Sequence, residues 1–418
     1  MRTKIYLLVL FLAVTFMVTA QEAIMGTWTG KLVVSESTSL TLCLNFTQEQ
    51  GTVSCTFDSP DQSAKGIAAS VSYCSDDSVS VAIPMIGASY NGKRDGNELR
   101  GTFTQMGHSL PATFMKGEEK LKRPQTPQPP FPYTTQDVTF VNEKDSVTLA
   151  GTLTFPVDYD NAHSGSVPLV IMLSGSGLQT RDEEIFEHKP FLVIADYLAR
   201  NGIASLRYDD RGMGGSTARN LEAATTEDFA RDAQAAFNFV KGLSLKNLGK
   251  VGVWGHSEGS NIAFMLAAHG KADFVVSMAG VGVKCDTALT AQANRLLQLA
   301  GMSDTVSTKH YRNIILLQKR PWFNWFIDYD PTADIAATRC PVFATNGDKD
   351  SQVISALNLG GIRASLPYNK DNKIVEYPSL NHLFQECATG NPIEYRTIEQ
   401  TISPQVLKDI AEWINNLK

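Results

Sequence analysis

The sequence predicts a doubly wound, mostly parallel α/β sheet with a helical lid, preceded by a small all-β domain of barrel or sandwich type. Three observations predict it. Residues 22–118 are dense in short alternating runs such as SLTLCLNF, GTVSCTFD and SVSVAIP, broken by Gly, Asp and Asn turns. From about residue 134, apolar strands alternate with helical stretches, the pattern of βαβ units whose sheet is covered on both faces. Between them, residues 119–133 hold Pro124, Pro127, Pro129, Pro130 and Pro132, which suit neither a helix nor an inner strand and read as an extended linker. A chain of 418 residues is in any case long for a single core.

The ends of the chain set the frame. Arg2 and Lys4 precede an apolar run from Ile5 to Val18, followed by Thr19 and Ala20. That is the layout of a secretory signal over 1–20, cleaved before Gln21, so export to the periplasm or medium is expected. The alternative is an uncleaved anchor, for which the run is short. No membrane span is expected after cleavage. The formal net charge of −6 argues against a nucleic-acid partner, which favours a basic face. Six cysteines, Cys43, Cys55, Cys74, Cys285, Cys340 and Cys387, show no spacing of a zinc site, and nothing points to a cofactor. Cys43 and Cys55 flank a turn near Glu49 and read either as a cross-hairpin disulfide or as two buried thiols.

In the first segment period-two runs must close or pack to bury their apolar face, hence the barrel or sandwich. In the second, DVTFVNEKDSVTLAGTLTFP reads as a strand pair and VPLVIMLSGSG as a buried strand ending in glycine. HKPFLVIADYLARNG has helical spacing, GIASLRYDDRG is a strand, and TEDFARDAQAAFNFVKGL is a long amphipathic helix. KVGVWGHSEG, DFVVSMAG and CPVFATNG supply further strands, with a mostly helical insertion at 281–339 between the last two.

Chemistry concentrates in Gly255-His256-Ser257-Glu258-Gly259, a G-x-S-x-G set between a strand and the apolar helix SNIAFMLAAHG. A strand turning sharply into a helix projects the serine hydroxyl from the sheet, so Ser257 is the candidate nucleophile. A serine hydroxyl needs a base, and the base an orienting acid. Of the histidines beyond the elbow helix, His310 falls in the insertion, whereas His382 falls in the loop PSLNHLF after the strand NKIVEYP. His382 is the candidate base. The acid is Asp350 or Asp348 of NGDKDSQV; Asp350 is preferred because the Ser351-Gln352-Val353 after it resembles the loop that follows the acid in many α/β-hydrolases. One oxyanion donor is the N–H of Glu258; the second is Ser176, Gly177 or Leu178 of the glycine-rich turn after the first buried strand. Arg181-Asp182 reads as a brace for that turn or as a solvated pair. Asp210-Arg211-Gly212-Met213-Gly214-Gly215-Ser216 lacks the ending of a phosphate loop and reads as structural. Trp322, Phe323, Trp325 and Phe326 read as packing within the insertion or, for one of them, as a pocket wall.

LSGSGLQTRDE, LRYDDRGMGGS, GHSEGS, DYDPTADIAATRCPVFATNGDKDSQV and NHLFQ, in this order over residues 134–418, resemble the α/β-hydrolases and, within them, EstD-like bacterial carboxylesterases. The resemblance implies the same three residues, Ser257, Asp350 and His382, in a carboxylesterase acting through an acyl-enzyme. The insertion 281–339, expected as a lid over Ser257 at the carboxyl edge of the sheet, points to small or short-chain acyl esters. Ser174-Gly175 stands where many relatives have His-Gly. The N-terminal segment looks like an accessory domain of exported relatives; that likeness does not imply its role, for which contact with an envelope or polymer is one open reading. Two rival readings are a serine peptidase of the same fold, aminopeptidase-like, and an envelope- or carbohydrate-binding protein acting through its first domain.

Overall fold

A computed structural model describes residues 23–35, 38–62, 64–117, 121–157, 159, 166–245 and 247–417, so the signal segment lies outside the described residues. The chain divides into two compact units, Met1–Leu121 and Lys122–Lys418.

The alternating runs of the first unit become eight strands: β1 (Gly26–Ser35), β2 (Thr38–Glu49), β3 (Thr52–Ser59), β4 (Ala64–Cys74), β5 (Ser78–Ile83), β6 (Ala88–Asp95), β7 (Glu98–Gln105) and β8 (His108–Lys116). Each pairs antiparallel with the next, and β1 pairs with β8, so the sheet closes into a barrel rather than a sandwich. Closure removes both edges. The inward positions of the period-two pattern fill the interior, with Trp28, Leu44, Phe46, Phe57, Tyr90, Phe103 and Phe114 all buried. The register decides the fate of the cysteine pair. Cys43 stands opposite Asp58 and Cys55 opposite Phe46, three places out of step, so no disulfide joins them, and among the described residues no cysteine is in a disulfide. An odd offset puts two residues on opposite faces of the ribbon, which a sequence spacing does not reveal.

The second unit carries an eight-stranded sheet. Its strands are β9 (Thr135–Asn142), β10 (Val147–Thr154), β11 (Val167–Leu173), β12 (Ala204–Tyr208), β13 (Leu248–His256), β14 (Val275–Met278), β15 (Val342–Gly347) and β16 (Lys373–Tyr377). Across the sheet they run β9-β10-β12-β11-β13-β14-β15-β16. Strand β10 is antiparallel to both its neighbours, and from β12 to β16 every pair is parallel. The parallel strands read as unbroken apolar runs because both faces are covered. Leu169, Ile171, Val251, Val253, Val342 and Ala344 face one layer, which contains α2 (Thr226–Gly242) and α3 (Glu258–Ala268). Val170, Met172, Trp254, Val276 and Phe343 face the other, which contains α1 (Pro190–Arg200) and α9 (Pro404–Asn416). The insertion forms α4 (Cys285–Leu299), α5 (Thr308–Leu317), α6 (Pro321–Phe326) and α7 (Thr332–Ala337) before β15; α8 (Ser355–Ser365) follows that strand.

The proline-rich segment differs from a free linker. From Lys122 onward it belongs to the second unit. The Arg123 guanidinium donates to the carbonyls of Phe186, Arg396 and Ile398, and Gln125 exchanges hydrogen bonds with the backbone of Thr401 and Ile402. Prolines supply no N–H of their own, and these two side chains fasten the extended chain in place.

Candidate active site

Ser257 occupies the junction of β13 and α3 with φ +53° and ψ −120°, a backbone conformation that non-glycine residues rarely adopt. Such strain costs of order 1–3 kcal/mol and persists only where the surroundings impose it. Here they do. The Ser257 N–H donates to the carbonyl of Met278, and the Ser260 hydroxyl donates to that of Gly255. A Cβ on Gly255 would lie 2.1 Å from the carbonyl oxygen of Gly259, and one on Gly259 2.0 Å from that of Leu173. Only glycine fits on either side of the turn.

The loops after β15 and β16 bring up two more of the candidates. Nδ1 of His382 lies 2.8 Å from Oδ2 of Asp350, both side chains being buried. The other carboxylate oxygen of Asp350 accepts the N–H groups of Gln352 and Val353, which fixes its orientation. Asp348 is exposed and accepts the N–H of Ser379, remote from that ring. His310 is exposed on α5, and it does not line the cavity described next.

Ser257 and His382 both open onto a cavity of about 630 Å³. Its walls are Gly175 to Gln179 of the turn after β11, Phe229 of α2, Leu289 of α4, and Trp322, Phe323 and Phe326 of α6. The insertion therefore forms one side of it, and Trp325 is the aromatic that does not, stacking on Tyr329 instead. A larger, open hollow of about 810 Å³ around Tyr377, Cys387 and Glu394 contains none of the three. Among the described residues no group of three or more His, Cys, Asp and Glu converges as a metal site, and no helix is long and apolar enough to cross a membrane.

Two supports of this site escaped the sequence reading. The first is a buried pair, Glu183 and His256. Nδ1 of His256 lies 3.0 Å from Oε1 of Glu183, and Nε2 lies 3.0 Å from the carbonyl oxygen of His382, to which it must donate. Burial works against a charge on His256, but the Glu183 carboxylate and the His382 carbonyl outweigh it and raise its pKa. The same Glu183 oxygen accepts the N–H of Gly175 at 2.6 Å. One pair thus joins the glycine-rich turn after β11, the elbow and the His382 loop. The signal was present in RDE and GHS, but nothing in the spacing connects them.

The second support is the loop 209–216. Asp210 accepts the Ser174 hydroxyl at 2.9 Å and the N–H of Gln179 at 2.8 Å; burial lifts its pKa to about 8 against both bonds. Asp209 takes the N–H and the guanidinium of Arg181, and Asp182 pairs with Arg207. Arg181 and Asp182 accordingly brace the turn rather than sit solvated. Gly175 and Gln179 N–H groups being occupied, those of Ser176, Gly177 and Leu178 donate no hydrogen bond among the described residues.

Known proteins are similar to parts of this chain. Residues 188–384 match the family described as serine aminopeptidase, S33. Esterase EstD of Thermotoga maritima is 26% identical over 281 residues, 64% of this chain and 65% of that protein, so the chain covers slightly under two-thirds of its length. Among solved structures, the Pyrococcus furiosus esterase Pf2001 aligns at 18% identity and a TM-score of 0.47, covering 72% of this chain and 98% of that one. Est1E of Butyrivibrio proteoclasticus, solved with ferulic acid, aligns at 16% and 0.46, covering 66% and 98%. The strand order and the elbow after β13 give the second unit the α/β-hydrolase fold, and the sequence is similar in part to the S33 family and to EstD, with an eight-stranded β-barrel preceding the α/β sheet in the chain.

Proposed function

We propose that the protein is a serine carboxylic ester hydrolase that works through an acyl-enzyme on Ser257. The observation that carries this reading is a serine held at φ +53° on the wall of a cavity it shares with His382, itself bonded through Nδ1 to a buried Asp350. With Nδ1 engaged, Nε2 is the nitrogen left to take the Ser257 proton as the hydroxyl oxygen attacks the ester carbonyl. The tetrahedral oxyanion is held by the N–H of Glu258, at the positive end of α3, and by one N–H from Ser176, Gly177 or Leu178. The collapsing intermediate receives the proton from His382 on its leaving alcohol, and water repeats the sequence to release the acid. The cavity, small and walled by aromatic rings, favours short acyl chains.

A fluorophosphonate probe tests this directly. It should label Ser257, and Ser257→Ala should lose labelling and at least about 10³-fold of its turnover of p-nitrophenyl acetate. Undiminished turnover by that variant would sink the reading.

The S33 match favours one second reading, an aminopeptidase using the same triad. Such an enzyme needs an acidic anchor for the amine of its substrate. The carboxylates nearest Ser257 are otherwise engaged, Glu183 with His256 and Gly175, and Glu258 with Thr226 and Trp322. That supports the ester, and a panel of acyl esters beside aminoacyl amides separates the two. We also propose export of the chain by the segment 1–20 and contact with an envelope or polymer surface through the barrel.

A further inference from the structure

The insertion keeps most of its polar contacts to itself. Arg312 binds Asp286, Asp328 and the carbonyl of Ile327, and Asn294 bonds Val306 through both its amide groups. The N–H of Cys285 donates to the carbonyl of Tyr329. Among the described residues, one hydrogen bond alone joins the stretch 285–330 to anything outside the insertion: Nε1 of Trp322 donates to Oε1 of Glu258 over 2.8 Å.

The acceptor is placed where that bond matters. Glu258 is 3% exposed, so a lost partner leaves its carboxyl without water to replace it. The same oxygen accepts the Thr226 hydroxyl at 2.6 Å, at the start of α2. Glu258 is also the first residue of α3, directly after Ser257. Its side chain therefore ties α6 and α2 to the residue whose N–H is the first oxyanion donor of the proposed mechanism.

We propose that the Trp322–Glu258 hydrogen bond is the latch of the lid, and that Glu258 acts through it as a positioning residue, linking the seating of α6 over the cavity to the placing of the oxyanion donors. The proposal rests on Ser257 being the nucleophile. The donor side is built for the task. Trp322 stacks on Phe326 with ring centroids 4.9 Å apart, and both rings line the cavity, so the indole that makes the bond is also part of the acyl wall. Seating the lid and completing the apolar wall are one movement. With the latch gone, the wall loosens and the backbone at Glu258 loses one of its side-chain tethers.

Trp322→Phe keeps a ring and removes the N–H; Glu258→Ala removes the acceptor; Glu258→Gln keeps an accepting oxygen. On p-nitrophenyl butyrate, Trp322→Phe and Glu258→Ala should each lower kcat/KM by about tenfold to a hundredfold, as expected for a hydrogen bond to a buried carboxyl. Glu258→Gln should lose clearly less than Glu258→Ala. The two losses should not multiply in the double variant. Brief proteolysis, which needs no ester turnover, should cut the exposed stretch around 300–320 faster in Trp322→Phe than in the wild type. Wild-type kcat/KM together with wild-type protease resistance in Trp322→Phe overturns the latch, and so do fully multiplicative losses. If Glu258→Ala does not fold, Trp322→Phe set beside Glu258→Gln decides. Retained turnover in Ser257→Ala would remove the nucleophile reading alone; faster cutting of Trp322→Phe would still mark the latch.

Discussion

At the scale of single residues, the acid is where sequence and geometry can be tested against each other. Asp350 and Asp348 are two places apart, yet Asp350 is buried against His382 and Asp348 is exposed and bonded to the Ser379 N–H. Asp350→Asn should cut turnover by about 10⁴-fold by holding the wrong imidazole tautomer. Asp348→Asn should do far less, and the reverse order in measured kcat would exchange their roles. Asp210 makes a second residue-scale case. Its folded pKa, about 8, lies above the value of an exposed carboxyl, so between roughly pH 4 and pH 8 the folded state holds more protons than the unfolded one. Its contribution to stability is complete below that window and is lost as the pH rises through it. Asp210→Asn removes the ionisation. Its melting temperature relative to the wild type should therefore climb from pH 5 to pH 8; a constant difference would mean that Asp210 does not titrate there.

At the scale of elements, α4 and α6 are what the insertion contributes to the cavity, through Leu289 and through Trp322, Phe323 and Phe326. A wall of rings rewards each added methylene by about 0.8 kcal/mol while room lasts and rejects what does not fit. In a series of p-nitrophenyl esters from acetate to palmitate, kcat/KM should rise over the first few carbons and then fall. A steady climb to palmitate would indicate an open groove instead. The rest of the proposed site lies on the βα loops. The turn after β11 offers the free amides, and the loop after β12, read from sequence as merely structural, holds that turn through Asp209 and Asp210.

At the scale of the whole molecule, all the candidate site residues, from Ser176 to His382, fall within the unit that begins at Lys122. Arg123 and Gln125 are fastened to that unit, so a chain starting at Lys122 keeps them. It should retain turnover of a small soluble ester and lose attachment to a polymer or envelope surface. A shortened protein that melts cooperatively but hydrolyses no ester would show that the barrel is needed at the site. The barrel's own interior is filled by Trp28, Tyr90, Phe103 and Phe114, so the proposed surface contact would have to use its outer face.

The sequence by itself determined what local rules govern. Alternation of apolar residues named the strands, the 3.6-residue period named α1 and α2, and G-x-S-x-G between a strand and a helix named the elbow, because each depends on neighbours a few residues away. The triad candidates were legible for a related reason: each follows a strand, and parallel strands deliver their following loops to one edge of the sheet. Tertiary structure decided what depends on register or on distance along the chain. It set Cys43 and Cys55 three places out of step, closed the barrel through β1 and β8, and fastened Arg123 to a carbonyl 273 residues away. It also brought Glu183 to His256 across 73 positions and Trp322 to Glu258 across 64. A buried carboxylate takes as its partner whichever donor the packed core brings within hydrogen-bonding distance, and a linear pattern carries no record of that choice.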